Sequence, residues 1–123
     1  MLTTHTLVVT IPADRITDWA SFQSVFAEVL GFPNFYGRNI NAWIDCMTCV
    51  DGDENAMSTV SVRPGELLIL RIDDAPTFQR RCPDQYNIVI ESVAFVNYRR
   101  LQVGREPVLA LQLNGWFRHE ATG

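Results

Sequence analysis

Three short apolar runs constrain the architecture most: Thr6–Ile11 (TLVVTI), Glu66–Ile72 (ELLILRI) and Pro107–Leu113 (PVLALQL). Each is strand-length, rich in Val, Ile and Leu, and bounded by Pro, Gly, Asp or Asn. Near-continuous apolarity without clean alternation suits parallel strands covered on both faces. The long intervals between the runs leave room for helical crossovers, which parallel pairing requires.

The first interval holds a helix. Trp19, Phe22, Phe26, Val29 and Leu30 form one apolar stripe, Thr17 or Asp18 can cap its start, and Gly31 can end it in a left-handed turn. A second helix begins at Asn39. Its Ile40, Trp43, Cys46, Met47 and Val50 gather on one side, facing the core. Asn41, Ile44, Asp45 and Thr48 gather on the other, with Ile44 at the edge of that polar face. Asn41 and Asp45, one turn apart, point together into solvent or a partner. Ala75–Cys82 reads as a short helix stopped by Pro83, with Asp73-Asp74 placed to cap it. Asp84–Leu101 reads as a longer helix, because Tyr86, Val89, Ile90, Val93 and Val96 keep a helical period. Residues 1–123 therefore form a single layered α/β domain: a three-stranded parallel sheet packed with about four helices. Asp51–Ser61 is the flexible loop.

With 123 residues, 47% of them hydrophobic and 20% charged, the chain can fill one core and is too short for two ordinary domains. The net charge is −4, and every base is arginine. Such a surface repels phosphate backbones and anionic lipid, so no direct nucleic-acid binding and no membrane association are expected. A basic protein is the expected macromolecular partner. No apolar run reaches the ~20 residues of a membrane span. The first residues lack a leader pattern, and Cys46, Cys49 and Cys82 are an odd set. A cytoplasmic protein with reduced thiols is expected.

Catalysis finds little support. His5 and His119 lie near the ends of the chain, lysine is absent, and no phosphate-cradling glycine loop or nucleophile elbow occurs. Cys46-Met-Thr-Cys49 sits at the far end of a helix, where a redox pair would open one. Zinc would need two further ligands at no recognisable spacing. The Asp51-Gly-Asp-Glu-Asn stretch lacks the terminal bidentate Glu of a calcium loop, since Val62 stands there. No enzyme activity, metal or cofactor is expected.

The informative segment is Gly31–Thr48, GFPNFYGRNINAWIDCMT. Gly31, Pro33, Asn34 and Gly37 hold the chain in a tight irregular loop carrying Phe35 and Tyr36, and Asn39 caps the next helix. Tyr36 and Trp43 are expected to seal the core. Phe32, Pro33, Phe35, Tyr36, Gly37, Asn39, Ile40, Ala42, Asp45, Cys46, Met47 and Thr48 together resemble the barstar family of intracellular ribonuclease inhibitors. A weaker echo is Glu91-Ser92-Val93 with Val96 and Gly104, like the family's last helix.

The resemblance implies the family's fold and a mode of action. The loop and the exposed side of the second helix would fill a ribonuclease active site, with acidic side chains standing in for RNA phosphates. Asp45 matches the family's principal acidic position, and Phe35, Gly37, Asn39 and Ile40 also fall in the matching segment. The sequence departs from the pattern at Asn41, in place of a second carboxylate, and at Ile44, in place of a tryptophan. Arg38 replaces an acid, and Arg99 falls where another partner-facing acid would lie. The face is thus less acidic than the family's. That points away from tight inhibition of a barnase-type enzyme and leaves another nuclease or toxin open. Asp51 and Asp53, with Glu54, are expected to restore negative charge beside the second helix. The resulting reading is a cytoplasmic inhibitor or immunity protein, monomeric when free, that blocks a basic ribonuclease or nuclease toxin. The alternative is an interaction module of the same fold with a non-nuclease partner.

Overall fold

A computed structural model describes residues 6–52 and 58–117. The strands β1 (Thr6–Thr10), β2 (Leu67–Ile72) and β3 (Leu109–Leu113) form one parallel sheet in the order β1-β2-β3. Helices α1 (Trp19–Leu30) and α2 (Ile40–Thr48) connect β1 to β2, and α3 (Ala75–Arg81) and α4 (Pro83–Gln102) connect β2 to β3. The three apolar runs are therefore the three strands, each crossover being helical as parallel pairing demands.

The register places Leu68, Leu70 and Ile72 of β2 beside Leu7 and Val9 of β1 and Leu109, Leu111 and Leu113 of β3. The β2 residues of this face are buried against the helices. The other face is not sealed. Along β2, burial alternates between buried and half-buried, and on β1 Val8 is 45% exposed between exposed Thr6 and Thr10. Coverage on both faces, expected from the apolar runs, does not hold. All the helical stripes, and so the core, lie on one side.

That core takes Phe22, Val25, Phe26 and Leu30 from α1, Trp43, Cys46 and Met47 from α2, Phe78 from α3, and Val89, Val93 and Val96 from α4. Full burial of each Leu, Ile or Phe contributes about 1.5–3 kcal/mol. Phe26 meets Trp43 edge-on at 5.7 Å between ring centres. Asp18 caps α1 reciprocally with Ser21, its Oδ1 accepting from Ser21 N at 2.8 Å while Asp18 N donates to Ser21 Oγ at 3.0 Å. Gly31 ends the helix with φ of 66°.

The cap expected for α3 takes another form. Asp74 holds the N-cap position with φ of 52° and no side-chain cap bond. Asp73 instead receives Arg71 Nε and Asn114 Nδ2, both at 2.9 Å, tying the ends of β2 and β3. Cys46, Cys49 and Cys82 are thiols, and among the described residues no helix is long and apolar enough to cross a membrane.

Candidate partner-binding face

The loop from Gly31 to Asn39 is braced at almost every second residue. Phe32 is buried, its ring 4.7 Å from that of Tyr36, and Tyr36 N closes a turn onto Pro33 O at 2.9 Å. The Tyr36 hydroxyl donates to Gln23 Oε1 on α1. Burial raises the Tyr36 hydroxyl's pKa well above the usual range, with the Cys46 charge adding to it and Arg38 partly offsetting it. Arg38 adopts the left-handed region at φ of 55°, uncommon for a side-chain-bearing residue. Its Nη2 donates to Ala20 O at 3.0 Å and Ser24 Oγ at 2.9 Å, pinning the loop to α1. Asn39 caps α2, Oδ1 accepting from Ala42 N at 2.8 Å, while Nδ2 donates to Gly37 O at 3.3 Å. Phe35 stands out from this scaffold with 78% of its surface exposed.

On α2, Asn41 and Asp45 face solvent as expected, and Ile40 is half-buried. Ile44 does not belong to this face. It is only 7% exposed and sits in the core, because α4 packs along α2 and buries a wider arc than one helical stripe. Thr48 Oγ1 bonds back to Ile44 O at 2.6 Å.

Arg99 comes from α4 to the same surface. Its Nη1 donates to Asp45 Oδ1 at 3.2 Å, and its guanidinium carbon lies 6.0 Å from the centre of the half-exposed Phe95 ring. Two residues singled out separately in the sequence thus pair with each other. Phe95, 46% exposed, lies beside Arg99 on this surface, and Tyr98, 56% exposed, precedes Arg99 on α4; both were missed. Their signal was available, since both fall off the Tyr86–Val89–Val93–Val96 stripe that faces the core.

Asp51 is not on this surface either. It is 8% exposed, and its Oδ2 receives Arg100 Nη2 at 2.8 Å. Arg100 also donates to Thr48 O at 2.8 Å and Glu106 O at 2.7 Å. This cluster ties the end of α2 to the approach to β3. Asp51 therefore adds no charge to the face, because an interior arginine has taken it. Asp53 and Glu54 lie outside the described residues.

Burial pushes the Cys46 thiol up to about 11, with neighbouring Asp45 and Cys49 adding to the shift. Such a thiol is a protonated packing group at neutral pH, not a nucleophile. Among the described residues no group of three or more His, Cys, Asp or Glu is placed to hold a metal ion. The geometry offers instead a braced loop with a protruding aromatic, two exposed polar positions on α2, and an ion pair shared with α4. Such a surface can bind another protein through an aromatic anchor and polar contacts.

No curated protein matches the chain. The family model described as "Barstar (barnase inhibitor)" matches residues 6–112, nearly all of the sheet and every helix. The chain therefore belongs to the barstar family, which that model describes as the barnase inhibitor.

Proposed function

We propose that this protein inhibits a basic ribonuclease by seating Phe35, Asn41 and Asp45 in the enzyme's substrate cleft, making and breaking no bond itself. The observation that carries this reading is Phe35, 78% exposed on a loop whose neighbouring side chains are tied to α1 and α2. A loop braced in this way has little backbone entropy left to lose on binding, which suits it to present an aromatic anchor. Gly37, Arg38, Asn39 and Ile40 border it.

Asp45 is the group that mimics a phosphate, and Arg99 occupies it in the free protein. An exposed pair of this kind is worth about 0–1 kcal/mol, whereas a desolvated pair across an interface is worth several times more. A cation in the enzyme's cleft therefore displaces Arg99 readily. The protein is a monomer when free and works in the cytoplasm.

The test is titration against barnase and other basic secreted ribonucleases, reading RNA cleavage. Stoichiometric loss of activity, weakened by Phe35→Ala and Asp45→Ala, supports inhibition. Full activity of every ribonuclease at excess protein removes it. Then the second reading applies, a module of the same fold for a non-nuclease partner. It draws on Arg38 and Arg99, which leave this face without net negative charge.

A further inference from the structure

A groove of about 580 Å3 lies beside the braced loop, bounded by Trp19 and Gln23 of α1, Arg38 and Asn39 of the loop, Ile40 of α2 and Ile88 of α4. Its walls are chiefly apolar. Trp19 stacks edge-on against Phe22 at 5.6 Å and still leaves 45% of its surface exposed. Ile40 and Ile88 are half-buried, and Gln23 Oε1 accepts from the Tyr36 hydroxyl. Among the described residues that bound it, Arg38 is the only charged one. A guanidinium carries five N–H donors, and the two bonds Arg38 makes among the described residues both leave from Nη2. On a protein of net charge −4 this is a local cationic spot on the rim of an apolar slot.

We infer that this groove is a second docking pocket for the inhibited enzyme, taking an apolar side chain, aromatic or branched, whose neighbouring carboxylate meets Arg38. Two observations argue for that occupant. Asn39 and Ile40 belong both to the groove and to the face already described, so a protein seated on Phe35 and Asp45 reaches the groove without a gap. The charge on the rim selects a carboxylate, and the apolar walls select the group beside it. The partner is thereby specified further: basic within its cleft, and acidic-apolar on the lip that meets α1. This extension rests on the inhibitor reading, and its test does not.

The probe is 3-phenylpropionate, which joins a ring to a carboxylate, with 3-phenylpropylamine and propionate as controls. They are titrated into the full chain, following the Ile40 and Ile88 methyl signals and the Trp19 indole signal by NMR. Phenylpropionate should shift all three together, with the amine weaker by about fivefold and propionate inactive. Arg38→Gln should abolish the difference between acid and amine, and Trp19→Ser, at a partly exposed site, should weaken both. No shift in the groove, or equal binding of acid and amine by the wild type, overturns the proposal. Ribonuclease inhibition without probe binding removes the pocket and keeps the inhibitor. Probe binding without inhibition of any ribonuclease keeps the pocket's chemistry and removes the enzyme as its occupant.

Discussion

Arg99 Nη1 stands 3.2 Å from Asp45 Oδ1, with 42% and 60% of the two side chains open to solvent. A pair so exposed contributes at most about 1 kcal/mol to folding. Arg99→Gln should therefore leave urea stability almost unchanged while tightening the complex with a basic ribonuclease, because Asp45 no longer has to be released. Asp45→Ala should weaken the complex by about 2–5 kcal/mol, mainly through faster dissociation. Surface-immobilised binding kinetics separate these outcomes. If Arg99→Gln weakens binding, Arg99 is itself a contact and not a stand-in for the enzyme's cation.

The neighbouring arginine behaves differently. Arg100 pairs with Asp51 where only 5% and 12% of the side chains are exposed. Removing the carboxylate alone strands a buried guanidinium on the carbonyls of Thr48 and Glu106, so Asp51→Ala should cost about 3–5 kcal/mol in urea unfolding. Replacing both partners, Asp51→Leu with Arg100→Met, should cost less than the single change. Ribonuclease inhibition per folded molecule should be unaltered in either variant. A stable Asp51→Ala protein with impaired inhibition would return Asp51 to the binding face.

These two arginines also mark where the sequence stops being informative. The strands, α1, α2 and α4 were legible because each carries a hydrophobic period that local geometry converts into a buried stripe. Asn39 and Gly31 were legible because caps act within a few residues. Ile44 was misplaced because a wheel drawn for α2 alone assumes one buried side, whereas α4 covers a second arc. Asp51 was misread because its partner is 49 positions away, and Asp73 because Asn114 is 41 away. The Asp45–Arg99 pair, 54 positions apart, shows the same limit. The two residues were singled out separately, and nothing in their spacing revealed that they pair with each other.

Gly31 offers a test of how the loop is positioned. Its φ is +66°, and a Cβ built there would lie 2.5 Å from Thr59 Cβ, in a segment that bonds back through Thr59 N to Gly31 O at 2.9 Å. Gly31→Ala should cost about 2–4 kcal/mol, part backbone strain and part overpacking. Adding Thr59→Gly should restore the second part and not the first. Thermal or urea unfolding of the two variants reads this directly. An alanine variant as stable as the wild type would mean that the turn relaxes without penalty.

The last prediction concerns alkaline pH. The Cys46 thiol has its pKa raised from 9.0 to about 11, chiefly by burial. Between those values the unfolded chain releases a proton that the folded protein keeps, so stability must fall as pH rises. The contribution is complete below pH 9 and is lost towards pH 11, at a limiting slope of about 1.4 kcal/mol per pH unit for one group. Tyr36, displaced upward by its own burial, acts in the same direction at higher pH. Urea unfolding from pH 8 to 11 should show this decline, and Cys46→Ala should make the curve shallower while lowering it at pH 8 through lost packing. A decline equally steep in Cys46→Ala would place the titrating group elsewhere. The same burial should keep Cys46 slow towards iodoacetamide in the native protein at pH 8 and fast in urea, because only the exposed thiolate reacts.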